Sequence, residues 1–166
     1  MNWKDYCQAA QRTLVDLGND KLNLSHMILG LISEYNEYQD AVAYIDNVNR
    51  NEEVGDIYWY VGNYCNLRNI TPILNNNIGY EGYAYCLSKL SNIVKRYVAY
   101  NVDIDKLEEE YWINGILYNL NTMYIDTTME QVLEKNINKL KVRFPDKFDI
   151  DKVLHRDLSS EYKTLL

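Results

Sequence analysis

Proline is nearly missing from this chain, with two residues in 166, and glycine is sparse at seven. So few helix breakers, together with few β-branched runs, favour helices over sheet. Cysteine is scarce as well. Cys7, Cys65 and Cys86 are odd in number and share no metal-ligand spacing, so a disulfide scaffold is excluded and reduced thiols in the cytoplasm are expected. No apolar run approaches the ~20 residues of a membrane span, and the first residues hold no signal-peptide apolar core. A soluble chain with no membrane partner is the expectation. Positive charge is short too: 17 Lys and Arg stand against 24 Asp and Glu, for a net charge of −7. That balance argues against a nucleic-acid duplex as partner, because such a footprint is basic. The length fits a single domain over residues 1–166, able to bury about 70% of its unfolded surface.

What the chain does have is carboxylates at helical spacing. Glu34-Tyr35-Asn36-Glu37 and Glu53-Val54-Gly55-Asp56 each place two acids three residues apart. Residues i and i+3 share one helix face. Two antiparallel helices therefore bring Glu34, Glu37, Glu53 and Asp56 around one point. At an effective dielectric near 20, each pair of like charges about 4 Å apart costs on the order of 4 kcal/mol. Between Leu22 and Leu67 the only Lys or Arg is Arg50. Local ion pairs thus cannot neutralise the cluster, and a hard divalent cation with oxygen ligands is expected there.

The remaining periodicity gives an all-α bundle of about six to seven helices around a four-helix core. A first helix is expected over 3–17, closed by Gly18, with Gln8, Gln11 and Arg12 as polar positions. The second runs over 25–45 from Ser25 as cap, burying Leu24, Met27, Ile28, Leu31, Tyr35, Tyr38 and Val42. Gly30 and Ala41 flank its acids, and a ligand pocket explains that missing bulk better than helix packing. His26 reads as a solvated or capping residue. In the third helix, capped by Asn51, the first-turn dipole accounts for Glu52 and Glu53 as well as a metal does, but not for Asp56. Glu53, Asp56, Tyr60 and Asn63 share one side of it, with Val54, Ile57, Val61 and Cys65 on the buried one. Residues 24–71 form the acidic pair, 70–79 a loop, and 128–148 a later helix opened by a capping box at Thr127 or Thr128. A short helix and a flexible end are expected beyond 150.

A shift of 56 positions superposes Val42-Ala43-Tyr44 on Val98-Ala99-Tyr100, Glu52-Glu53 on Glu108-Glu109, Ile57 on Ile113 and Asn63 on Asn119. Residues 80–127 thus read as a second helical pair in an internal pseudo-repeat. Its acids are gone, since Glu34, Glu37 and Asp56 fall on Leu90, Ile93 and Trp112. Lys95 and Arg96 make this half more basic where the first is acidic.

The paired acidic motifs, the run Glu52-Glu53-Val54-Gly55-Asp56-Ile57-Tyr58-Trp59-Tyr60, and Asn136-Ile137-Asn138-Lys139-Leu140-Lys141-Val142-Arg143-Phe144-Pro145 resemble the MazG-like all-α nucleotide pyrophosphohydrolases. The degenerate second half is similar to the dimeric dUTPase-like branch. The resemblance implies hydrolysis of nucleoside triphosphates to monophosphate and pyrophosphate. It implies Mg²⁺, or alternatively Mn²⁺, on Glu34, Glu37, Glu53 and Asp56 as metal-binding and catalytic residues. Glu37 is a candidate base acting through water. Asn136, Lys139 and Arg143 would meet the phosphates, assisted by Lys95 and Arg96, with Tyr60 and Asn63 beside the substrate. A solvated basic face near a helix C-terminus explains the same cations. Two departures bear on substrate choice. Asn36 replaces the usual glycine of ExGE, and Ala41, Ala43 and Tyr44 stand where a lysine is common. A homo-oligomer, a dimer, is expected. The competing reading is a nucleotide-binding or sequestering bundle with weak or no turnover.

Overall fold

The computed structural model describes residues 1–74 and 78–166, so the central part of the 70–79 loop lies outside the described residues. Eight helices and no strand occur among the described residues: α1 Trp3–Gln11, α2 Asp20–Ala43, α3 Asn47–Arg68, α4 Tyr83–Tyr100, α5 Lys106–Leu120, α6 Met129–Arg143, α7 Ile150–Leu154 and α8 Leu158–Lys163. None of them is long and apolar enough to cross a membrane.

The caps set these bounds, and several differ from the sequence expectation. Asn19, not Ser25, opens α2 by accepting the N–H groups of Lys21 and Leu22. Asp46, not Asn51, opens α3, which begins a full turn earlier than expected. Glu52 and Glu53 therefore lie inside the helix, away from the dipole that accounts for first-turn acids. Asn51 instead exchanges two hydrogen bonds with the backbone of Ile125, at 2.9 Å each. Helix α1 stops at Gln11 rather than Leu17. The hydroxyl of Thr13 turns back to Ala10, and Gly18, at φ 72°, sits in the turn before α2. Helix α1 opens at Trp3 as expected, and α6 opens with the complete Thr128–Gln131 capping box.

Helices α2 and α3 pack antiparallel through the three-residue connection 44–46, with α4 and α5 as the second pair. Gly30 marks the closest point: a Cβ there would lie 2.0 Å from the Tyr60 ring. The bulk missing at Gly30 is thus filled by a neighbouring side chain, and helix packing explains that glycine. The core side of α2 is buried at Leu24, Met27, Ile28, Leu31 and Tyr38, but Val42 near its end is 39% exposed. Tyr35 stacks on Tyr83 of α4 at 4.5 Å between ring centroids. Val54, Ile57, Val61 and Cys65 make the buried side of α3, as their spacing predicts. On its other flank α3 meets α1 and α6, so it is the central helix of the molecule. The last residues are not a free end. Helix α8 packs on α6, Leu165 is buried, and the Lys135 ammonium donates to the Leu165 carbonyl.

Candidate metal centre

The antiparallel α2–α3 pair brings Glu34 and Glu37 opposite Glu53. One carboxylate oxygen from each of the three lies within 4.8 Å of the others. Glu53 is buried, Glu34 half-buried and Glu37 exposed. Burial, then Asp56 and Glu37, raise the Glu34 carboxyl to about 7, against a hydrogen bond with Glu53 and the field of Lys139. Burial, then Asp56, Glu34, Glu37 and Glu52, push Glu53 up to about 9. Both carboxyls are thus pushed toward the protonated form, by burial first and by the neighbouring acids second. Three convergent hard oxygen donors, two of them strained by mutual charge, fit a divalent cation such as Mg²⁺.

Asp56 stands beside this trio but is otherwise engaged. Its carboxylate accepts from Lys139 Nζ at 2.6 and 2.5 Å and from Asn136 Nδ2 at 2.7 Å. Lys139 Nζ also donates to Glu52 at 3.1 Å, and its side chain is 1% exposed. Burial disfavours the ammonium, but Asp56 and Glu52 outweigh it and hold Lys139 above its usual value. A cation therefore does reach the acids, from a helix remote in sequence, although no Lys or Arg lies near them locally. Asn136 is buried against Gly55, whose added Cβ would lie 3.1 Å from the asparagine's own, and it is close to the Tyr6 hydroxyl at 2.9 Å. Asn136 and Lys139 thus face Asp56 rather than open solvent. Both also line the cavity beside Glu52.

Two cavities lie near the acids, and Lys139 lines the first. The larger, about 280 Å³, is lined by Asn51, Glu52, Lys135 and Leu165 and contains none of the three convergent glutamates. The smaller, about 210 Å³, opens onto Glu34 and Asp56. Its walls are Trp59, Tyr60, Phe144 and Phe148, with His26 and Arg143 at the rim. Of the two, the smaller is the one that a member of the acidic trio, Glu34, lines. His26 is neither a cap nor fully solvated. Its ring meets Tyr60 edge-on at 5.7 Å, and burial lowers its pKa. Trp59 Nε1 donates to Thr13 at 2.9 Å, which brings the segment after α1 over the cleft.

Tyr60 lines the cleft as expected, and burial raises its hydroxyl pKa well above the usual value. Asn63 does not reach it: fully buried, it donates to the Trp59 carbonyl of its own helix. Lys95 and Arg96 lie exposed on α4, with Lys95 in a separate groove beside Tyr85 and Lys89. Arg12 is a cap, donating to the Phe144 and Asp146 carbonyls after α6. Gln8 and Gln11 are exposed.

Sequence reasoning missed the cleft's third wall, which comes from the chain after α6. Arg143 donates to Glu161 through Nε at 3.1 Å and Nη2 at 2.5 Å. Arg156 donates to the same carboxylate at 2.7 Å. Burial raises the Glu161 carboxyl, but the hydrogen bonds from both arginines outweigh it and leave it below the usual range. No local spacing joins these residues, so no periodicity reveals them. No family model, curated protein or solved structure matches the chain.

Proposed function

We propose that this chain is a divalent-cation-dependent nucleoside triphosphate pyrophosphohydrolase, cleaving between the α and β phosphates to release a monophosphate and pyrophosphate. The carrying observation is the convergence of Glu34, Glu37 and Glu53, of which Glu34, with the neighbouring Asp56, lines an aromatic cleft. Mg²⁺ held there supplies charge neutralisation for the phosphates and an acidified water. The chain's residues do the rest. Trp59, Tyr60 and Phe148 offer apolar ring surface of the kind that takes a nucleobase, while Arg143 at the rim presents a planar donor to phosphate oxygens. Glu37, the exposed member of the trio, would act as base through a water rather than as a direct metal ligand. Lys139 and Asn136 keep the Asp56 carboxylate in one orientation beside the trio.

A second reading is favoured by one observation. Asp56 is already paired, which suits a protein that binds a nucleotide and does not turn it over. Incubation with a panel of ribo- and deoxyribonucleoside triphosphates and Mg²⁺, with products resolved by chromatography, separates the two. Monophosphate with pyrophosphate is the expected result. Diphosphate with orthophosphate as first products sinks the assignment. Nucleotide binding with no product favours the sequestering reading. Melting adds a control: a site filled to 100 times its Kd stabilises by about 2.7 kcal/mol, so Mg²⁺ raises Tm in either case.

A further inference from the structure

Most polar side chains in the wall of the acidic cleft already have partners. Asp56 is held by Lys139 and Asn136, and Arg143 by Glu161. Trp59 Nε1 donates to the Thr13 hydroxyl, which itself donates to the Ala10 carbonyl. His26 differs. Among the described residues it makes no hydrogen bond, although its imidazole lines the cleft beside Trp59 and Tyr60. Its two ring nitrogens are not equivalent. Nδ1 is shut off from solvent without a partner, whereas Nε2 is not. A buried N–H with no acceptor is rarer in folded chains than an unused acceptor. The proton of the neutral ring therefore sits on Nε2, and Nδ1 carries the lone pair. Burial also disfavours the imidazolium, which would need a second N–H at the closed position. His26 thus offers the cleft one fixed donor, on a ring held edge-on to Tyr60. Val15, Leu140, Phe144 and Phe148 add apolar wall to the same cleft. In such surroundings an unmatched donor discriminates between ligands.

We propose that His26 reads the edge of a heteroaromatic ring in the cleft, donating from Nε2 to an acceptor on a base that lies against Trp59 and Tyr60. This rests on the nucleotide reading above and names the group recognised. A ring nitrogen or a ring carbonyl oxygen matches the donor, and an amino group does not. Trp59 and Tyr60 offer surface to any flat ring, whereas the donor gives one edge its preference. A base that turns no acceptor to His26 leaves Nε2–H desolvated and unpaired, which costs affinity.

The test is calorimetric titration of the full chain in the presence of Mg²⁺. The probes are the α,β-imido analogues of the four common deoxynucleoside triphosphates, which resist cleavage at that bond, with inorganic triphosphate as the base-free control. Wild type should bind at least one analogue about tenfold more tightly than triphosphate, the scale of one hydrogen bond. His26→Phe keeps a ring in place and removes the donor. It should lose about tenfold on that analogue, with triphosphate affinity and Tm unchanged. His26→Gln, which returns an N–H near the Nε2 position, should recover part of the loss. Full analogue affinity in His26→Phe, an equal loss on triphosphate, no recovery in His26→Gln, or a wild type that prefers no analogue over triphosphate each overturns the proposal. Hydrolysis of the natural nucleotides is scored separately. His26-dependent analogue binding without hydrolysis sinks the hydrolase reading and keeps the base contact. Hydrolysis with His26-independent binding does the reverse.

Discussion

Among the described residues, Asp56 and Glu52 are the carboxylates paired with Lys139, whose side chain is nearly fully buried. This changes what a substitution at Asp56 does. Counting only repulsion among the acids, Asp56→Asn relieves the apo protein. With Lys139 in place, it strips the closer of two counter-charges from a buried ammonium. Removing one partner of a buried pair costs on the order of 3 kcal/mol, so Asp56→Asn should be less stable by about that amount. Denaturant melts read this as a lower midpoint with an unchanged slope. A variant as stable as wild type shows that Lys139 does not depend on Asp56.

Between elements, the second helical pair has work of its own. Glu109, in the first turn of α5, is not an ordinary solvated acid. It accepts from the Tyr64 hydroxyl at 2.6 Å and from Arg68 at 2.8 and 3.1 Å, tying α5 to the end of α3. Its neighbour Glu108 faces solvent and lies only 3.4 Å from the Trp112 indole nitrogen of its own helix. Glu109→Gln should cost about 2 kcal/mol, toward the low side for a buried pair because Arg68 keeps part of its solvent. Glu108→Gln should stay within about 0.5 kcal/mol, as exposed substitutions do. Urea melts of the two single variants make the comparison, and equal losses would contradict it. Of the two acids that fall on Glu52 and Glu53 under the 56-residue shift, Glu109 thus serves packing while Glu108 faces solvent.

At the scale of the whole molecule, the raised Glu34 and Glu53 carboxyls make stability depend on pH. Glu34 and Glu53 sit at about 7 and about 9, above the ordinary value of 4.5. The folded chain therefore binds more protons than the unfolded chain between those values. Stability falls wherever the folded state is the better proton binder and pH rises. This contribution is complete below 4.5 and lost as pH climbs through 7 and 9. Glu161, held low by its arginines, works in the opposite sense and loses its contribution as pH falls below the ordinary range. Tm of the metal-free protein should decline across the span from about pH 5 to pH 9, and Glu53→Gln should flatten the decline. An equally steep decline in that variant would show that the Glu53 carboxyl is not its source.

The sequence by itself determined the helices, their buried stripes and the i, i+3 pairing of the acids. These are local consequences of a 3.6-residue period and of short-range capping, as the Thr128–Gln131 box illustrates. The meeting of Glu34, Glu37 and Glu53 was legible too, because a three-residue connection leaves α2 and α3 little choice but to pack antiparallel. The helix starts were less legible, since Asn19 and Asp46 compete with other residues able to cap. Tertiary structure alone decided the charge pairing. Lys139 meets Asp56 across 83 positions, and Arg143 meets Glu161 across 18. No helical period joins such residues. They meet because burial makes an unpaired charge costly, and the packing of α6 against α3 and α8 sets which partner lies within reach.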